Sequence, residues 1–205
     1  MLNKIQAEHV LNTIMDLYPN PKPSLNFDNE FQLLLAVMLS AQTTDAAVNK
    51  VTPTLFEKYQ TPADLAVANY KDVQKLISSI GLYKRKTEYA IGIAKSLVEN
   101  FDCKVPKKRS DLESLPGVGR KTASVVLSLT FNIPAFPVDT HITRVSKHHK
   151  IVSQNANTRE IEKRICSILP PEKWHHAHLA LIYFGREICH PKNPICDTIL
   201  ELYEY

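Results

Sequence analysis

The sequence predicts an all-α protein, and three observations carry that expectation. No segment sustains the every-second-residue alternation of a half-buried strand. Apolar residues recur instead at helical spacing along most of the chain. Helix-opening and helix-stopping residues punctuate these stretches closely, so the connecting loops are short.

The elements follow in order. Val10, Leu11, Ile14 and Leu17 share one helical face, with Pro21 beyond its end. Residues 29–40 form a helix apolar nearly all round, which makes it a buried central one. Thr61-Pro62 is an N-cap followed by proline at the first helical position. A helix over 71–80 stops at Gly81, and a long amphipathic one runs over 84–101. Ser110 and Glu113 have capping-box spacing and open a short helix that Pro116 stops. An apolar helix spans 119–131, and Asp139-Thr140 caps another. Thr158 opens a helix with Ile161, Ile165, Ile168 and Leu169 inward, and the last long helix covers 173–186.

With 205 residues the chain can build one sizeable core or two small ones wrapped together. Its 44% hydrophobic and 22% charged residues are those of an ordinary soluble globular protein. The longest apolar stretch, 31–39, is too short to span a bilayer, so no membrane association is expected. The first residues carry no apolar core or small-residue cleavage site of a signal peptide. A cytoplasmic protein is expected, nucleoid-associated if bacterial, and a monomer. The four cysteines, 103, 166, 189 and 196, suggest no disulfide framework in such a setting.

The net charge of +4 is modest, but its distribution is uneven. Residues 104–150 hold nine Lys/Arg against three acids, a surplus of six, and the remainder is at −2. A local basic field suits a phosphate-backbone binder, although a solvated charged face has the same composition.

The string Leu115-Pro116-Gly117-Val118-Gly119-Arg120-Lys121-Thr122-Ala123 reads as helix, tight glycine hairpin, helix. Its glycines let the backbone turn sharply and approach a ligand without a Cβ in the way. Amides of the turn and of the first helical residues lack internal partners and point outward as donors. The positive end of the helix dipole lies behind them, so they suit a phosphate. A plain helix-connecting turn would use the same residues.

The whole string resembles the helix–hairpin–helix element of the DNA glycosylase superfamily. Leu39-Ser40-Ala41-Gln42-Thr43-Thr44-Asp45 resembles the lesion-facing signature of the endonuclease III family. Ile80-Gly81-Leu82-Tyr83 resembles that family's second DNA-facing loop, and the string 138–145 resembles the segment bearing its catalytic aspartate. Order and spacing agree from about residue 5 to residue 196. The resemblance implies a two-lobed helical fold with DNA in the cleft between lobes. One lobe is a helical barrel over 23–132; the other joins 1–22 to 133–205.

The same resemblance implies a base excision repair enzyme, a bifunctional glycosylase and AP lyase. Its substrate is double-stranded DNA with an oxidised pyrimidine or an abasic site, which it cleaves by β-elimination. Catalysis falls on Lys121 and Asp139. DNA contacts fall on Gln42, Leu82, Gly117, Val118, Gly119 and Arg120, and on His141 and Arg144. Gln42 fills the space of the extruded nucleotide and Leu82 wedges the opposite strand. A lysine attacks carbon only when neutral, and partial desolvation beside a helix N-terminus disfavours the ammonium form of Lys121. Asp139 stabilises cationic sugar and moves protons, although its position also suits a plain N-cap.

The sequence departs from the family at its end. The family's [4Fe–4S] cluster uses C-x6-C-x2-C-x5-C, and here Cys189 and Cys196 keep only the first spacing. Ile199 and Tyr205 occupy the other two places, in a degenerate 189–205 segment. A cubane takes four thiolates, so no cluster and no other cofactor is expected. With His190 the two cysteines fall one donor short of a zinc set, so no metal is expected either. Three other readings stay open on the residues: a non-catalytic DNA-binding module, a glycosylase without lyase activity, and a helical protein with no DNA role.

Overall fold

A computed structural model describes residues 1–192 and 195–196. Among the described residues the regular secondary structure is all helical, with no strand. The chain divides into two compact units, one of residues 1–22 and 134–205, the other of residues 23–133.

The 23–133 unit holds α2 (Glu30–Leu39), α3 (Asp45–Lys58), α4 (Pro62–Ala66), α5 (Tyr70–Leu76), α6 (Tyr83–Asn100), α7 (Arg109–Glu113) and α8 (Arg120–Phe131). Helix α2 is its axis. Phe31 and every residue from Leu33 to Leu39 are buried, as an all-round apolar helix requires. It packs on α3, α6 and α8, while α4 and α5 lie on α6 and α7 lies on α8. Truncating one fully buried leucine here, such as Leu34→Ala, costs about 2–5 kcal/mol.

The other unit holds α1 (Lys4–Leu17), α9 (Thr140–His148), α10 (Thr158–Ile168) and α11 (Trp174–Glu187). A single-turn 3-10 helix over Pro171–Lys173 leads into α11. Leu11 and Ile14 of α1 share its core with Val145 of α9, Ile161 and Ile165 of α10, and Phe184 of α11. Helices α9 and α11 approach closely at Gly185, where a Cβ would stand 2.9 Å from that of His141. None of the described helices is long and apolar enough to cross a membrane.

Several helix boundaries differ from the sequence expectation, each for a local reason. Helix α5 ends at Leu76 rather than Ile80, and turns carry the chain to Gly81. Ser110 does not cap α7, which begins at Arg109 with Lys108 as N-cap. The Ser110 hydroxyl bonds its neighbour Asp111 instead. Helix α10 does open at Thr158 as expected, with Asn157 as its N-cap in a capping box with Glu160. Helix α3 has no simple apolar stripe and carries Pro53 inside it, so periodicity did not announce it.

Candidate active site and DNA-facing loops

The hairpin joins α7 to α8, and packing fixes its shape. Gly117 sits at φ +73°, and a Cβ there would lie 2.4 Å from the Tyr89 ring of α6. Only glycine fits. Pro116 is seated on α6 at Gly92, where an added Cβ would come within 3.1 Å of its ring. Val118, one of the expected DNA contacts, packs inward in the free protein. Its side chain is buried, and its amide donates to the Leu115 carbonyl at 3.1 Å. It anchors the hairpin instead of presenting a donor.

Gly119 is different again: a Cβ there meets nothing within 4 Å. No intramolecular contact requires glycine at this N-cap of α8, which has no side-chain cap. Arg120 and Lys121 are the first two residues of α8, and both are exposed. Their amides lie in the first turn, which has no intrahelical acceptors. The exposure of Lys121 departs from the expected partial desolvation. Arg109 ties the two helices by donating to Ser124 Oγ at 2.7 Å and to the Arg120 carbonyl at 3.4 Å.

Two further loops of the same unit come together. Gly81 lies against the 42–43 backbone, so that a Cβ on it would stand 3.8 Å from the Gln42 carbonyl oxygen. The Lys86 ammonium, buried in α6, donates to Thr43 Oγ1 at 2.6 Å and locks α6 to that loop. Burial holds its pKa below the ordinary lysine value. Gln42 and Leu82 both adopt left-handed backbone, at φ 55° and 58°. Non-glycine residues rarely do so, and here it turns both side chains outward. Leu82 is 56% exposed and so makes no ordinary interhelix contact. Gln42 is exposed and lies beyond Ser40, the actual C-cap of α2. Lys86 was missed by sequence reading, because nothing local distinguishes it from its exposed neighbours Lys84 and Arg85.

On the other unit, Asp139 is the N-cap of α9, accepting from the Ile142 amide at 2.8 Å through Oδ1. A carboxylate has a second oxygen, so capping leaves chemistry available. Arg144 donates to the carbonyls of Cys189, at 2.9 Å, and Gly185. It also donates to His141 Nδ1 at 3.2 Å. These bonds hold the guanidinium against its own unit in the free protein. Arginine only donates, so His141 Nδ1 must accept, which places the ring proton on Nε2. Burial lowers the His141 pKa; Asp139 opposes that, and Arg144 and Arg186 reinforce it.

The dense histidine run of α11 disperses as helical geometry requires. His176 meets the Tyr18 carbonyl at 2.6 Å and buried His178 the Pro137 carbonyl at 3.0 Å.

Ile199 and Tyr205 lie outside the described residues. Cys189 and Cys196 are both buried, and Cys103 is exposed in the other unit. The Cys189 and Cys196 sulfurs lie within 4.8 Å of each other. Cubane thiolates sit on separate corner irons, whereas these two are close enough to share a single ion. Two thiolates so placed do not fit the family's four-thiolate cluster.

An all-helical chain carrying a glycine hairpin ahead of an exposed lysine belongs to a known class. A profile described as "HhH-GPD superfamily base excision DNA repair protein" matches residues 35–171. Endonuclease III of Bacillus subtilis (strain 168) is 44% identical over 196 residues, spanning 96% of this chain and 90% of that protein. Endonuclease III of Escherichia coli (strain K12) is 38% identical over 206 residues, spanning 100% of this chain and 97% of that one. The chain belongs to the endonuclease III family of this superfamily. Among solved structures, a non-covalent endonuclease III–DNA complex superposes with a TM-score of 0.94 at 41% identity, over 99% of this chain and 95% of that one. A trapped endonuclease III–DNA covalent intermediate superposes with a TM-score of 0.92 at 42% identity, over 97% and 93% of the two chains.

Proposed function

We propose that this protein is a base excision repair enzyme, a DNA glycosylase and AP lyase acting on oxidised pyrimidines in duplex DNA as a monomer. The observation that carries the reading is Lys121, an exposed amine in the first turn of α8 directly after the glycine hairpin. The hairpin grips a backbone phosphate through its glycine-flanked amides, with Arg120 adding charge. The damaged nucleotide leaves the stack, because its sugar carbon is inaccessible within the duplex. Gln42 and Leu82 are both held outward by left-handed backbone: Gln42 fills the space the nucleotide vacates, and Leu82 wedges the opposite strand.

Neutral Lys121 then attacks C1′ and the base departs with the glycosidic bond's electron pair. The second oxygen of Asp139 stabilises positive charge building on the sugar. The C1′-linked nitrogen gives up a proton, and its lone pair forms the C1′=N bond as the C1′–O4′ bond breaks and O4′ takes up a proton, leaving a ring-opened Schiff base. Abstraction of the C2′ proton then expels the 3′ phosphate, which is β-elimination. Lys121 is exposed in the free protein, so its amine is open to an approaching sugar carbon. The family's four-cysteine cluster takes no part, since its ligand set is incomplete here.

The test is borohydride trapping on duplexes carrying thymine glycol or an abasic site. A covalent adduct is expected with the wild type and none with Lys121→Gln. Binding without an adduct in the wild type would overturn the lyase assignment and leave a binding module or a pure glycosylase, which a base-release assay separates.

A further inference from the structure

The four potential donor atoms of His148, His149, Cys189 and Cys196 lie within 4.8 Å of one another. A tetrahedral zinc with bonds of about 2.0–2.3 Å holds its donors roughly 3.3–3.8 Å apart. The spacing therefore needs only a small contraction to close on an ion. We propose that these four residues form a structural zinc site, a Cys2His2 centre standing where relatives with four cysteines would place a cluster.

The backbone around the donors is fixed from several directions. His148 is the last residue of α9 and His149 its C-cap, with the His149 amide donating to the Val145 carbonyl at 3.0 Å. The two imidazoles meet edge to face at 4.9 Å, and the His149 ring leans on Phe184 at 5.7 Å. Cys189 follows α11, its amide donating to the Phe184 carbonyl at 2.8 Å and its own carbonyl accepting from Arg144 at 2.9 Å. Ile195 donates to the Ile188 carbonyl at 3.2 Å, which closes the loop and returns Cys196 to Cys189. Both sulfurs are buried while His148 is exposed, so an ion has a way in and the thiolates are shielded from oxidants.

Two thiolates with two imidazoles are a donor set that suits tetrahedral zinc, with no position left for water or substrate. The two thiol protons leave to solvent on binding, and the filled site carries no net charge. Its effect is mechanical. The ion fastens the 189–196 loop to the C-terminal end of α9, the helix whose N-cap is Asp139.

The site is tested by its metal and its spectrum, independently of any repair activity. Full-length protein from zinc-supplemented culture is expected to carry one zinc per chain, without iron or acid-labile sulfide. Removing zinc and adding cobalt(II) is expected to give the visible bands of a tetrahedral ion with thiolate charge transfer. Cys189→Ser is expected to remove roughly half the charge-transfer intensity, as one of two thiolates is lost. His148→Ala changes an exposed side chain, so its fold is expected to be retained, as circular dichroism would record. Its zinc affinity is expected to fall by more than the roughly 10–100-fold that losing a supporting outer-shell contact causes. Bound iron with sulfide would overturn the proposal. So would a Cys189–Cys196 disulfide in metal-free protein, reduced protein that takes up no zinc, or a cobalt spectrum unchanged in both His148→Ala and His149→Ala.

Discussion

Gly117 and Gly119 flank one residue, yet a methyl group has opposite consequences at the two positions. At Gly117 it meets the Tyr89 ring at 2.4 Å and must adopt φ +73°. Gly117→Ala is expected to destabilise the protein by about 2 kcal/mol or more, read as a lower melting temperature. At Gly119 the methyl meets nothing of the protein, so Gly119→Ala is expected to fold normally. It should nonetheless bind DNA more weakly if the proposed phosphate grip holds, because the methyl then stands in the way of the phosphate. Equal DNA affinity for Gly119→Ala and wild type would show that the hairpin does not grip the backbone there. Arg120→Ala, one exposed charge removed, is expected to reduce the salt slope of binding by about 1. Lys121 and the glycines were legible in the sequence because the hairpin's chemistry is local and contiguous. The inward turn of Val118 was not, since a buried and an exposed valine in a turn look alike.

Helix α9 carries capping, a clamp and a titrating group on a few turns. Folded His141 has a pKa below its ordinary value of 6.5, so between the two the unfolded chain binds more protons. Stability therefore rises with pH across that window, and acidification from about 6.5 downward removes it. Denaturant midpoints measured from pH 7 to pH 5 should fall, and fall less in His141→Gln; equal slopes would refute the assignment. Asp139→Ala is expected to cost about 1 kcal/mol of helix cap and, on the proposed mechanism, most of the excision rate as well. Asp139→Ser restores the cap without the carboxylate, so stability should recover while activity does not. Here the sequence was half informative. The Asp-Thr start of α9 was visible, but whether Asp139 caps or reacts was undecidable from spacing. The direction of Arg144 depended on carbonyls of α11 and its following loop, more than forty positions away, and His148 and His149 met Cys189 by the same distant route. The left-handed backbone of Gln42 and Leu82 likewise arises from their loops packing together through Gly81 and Lys86.

At the scale of the molecule, helical class was readable because apolar spacing persists over most of the long elements. The least readable piece was α3, whose proline and mixed faces hide its period. One of the two units is built from an unbroken stretch, 23–133, and the other from both ends of the chain, 1–22 with 134–205. That arrangement sets an order of events on the ribosome. Helix α1 emerges first, but the residues that cover Leu11 and Ile14 are among the last to be made. Its apolar face must wait, exposed, while the 23–133 segment acquires all its own packing partners. Nascent chains stalled shortly after residue 133 clears the tunnel should resist protease within that segment and be cut within α1. Helix α1 is thus translated well before its partners α10 and α11, and its apolar face stays available to other binders until they emerge.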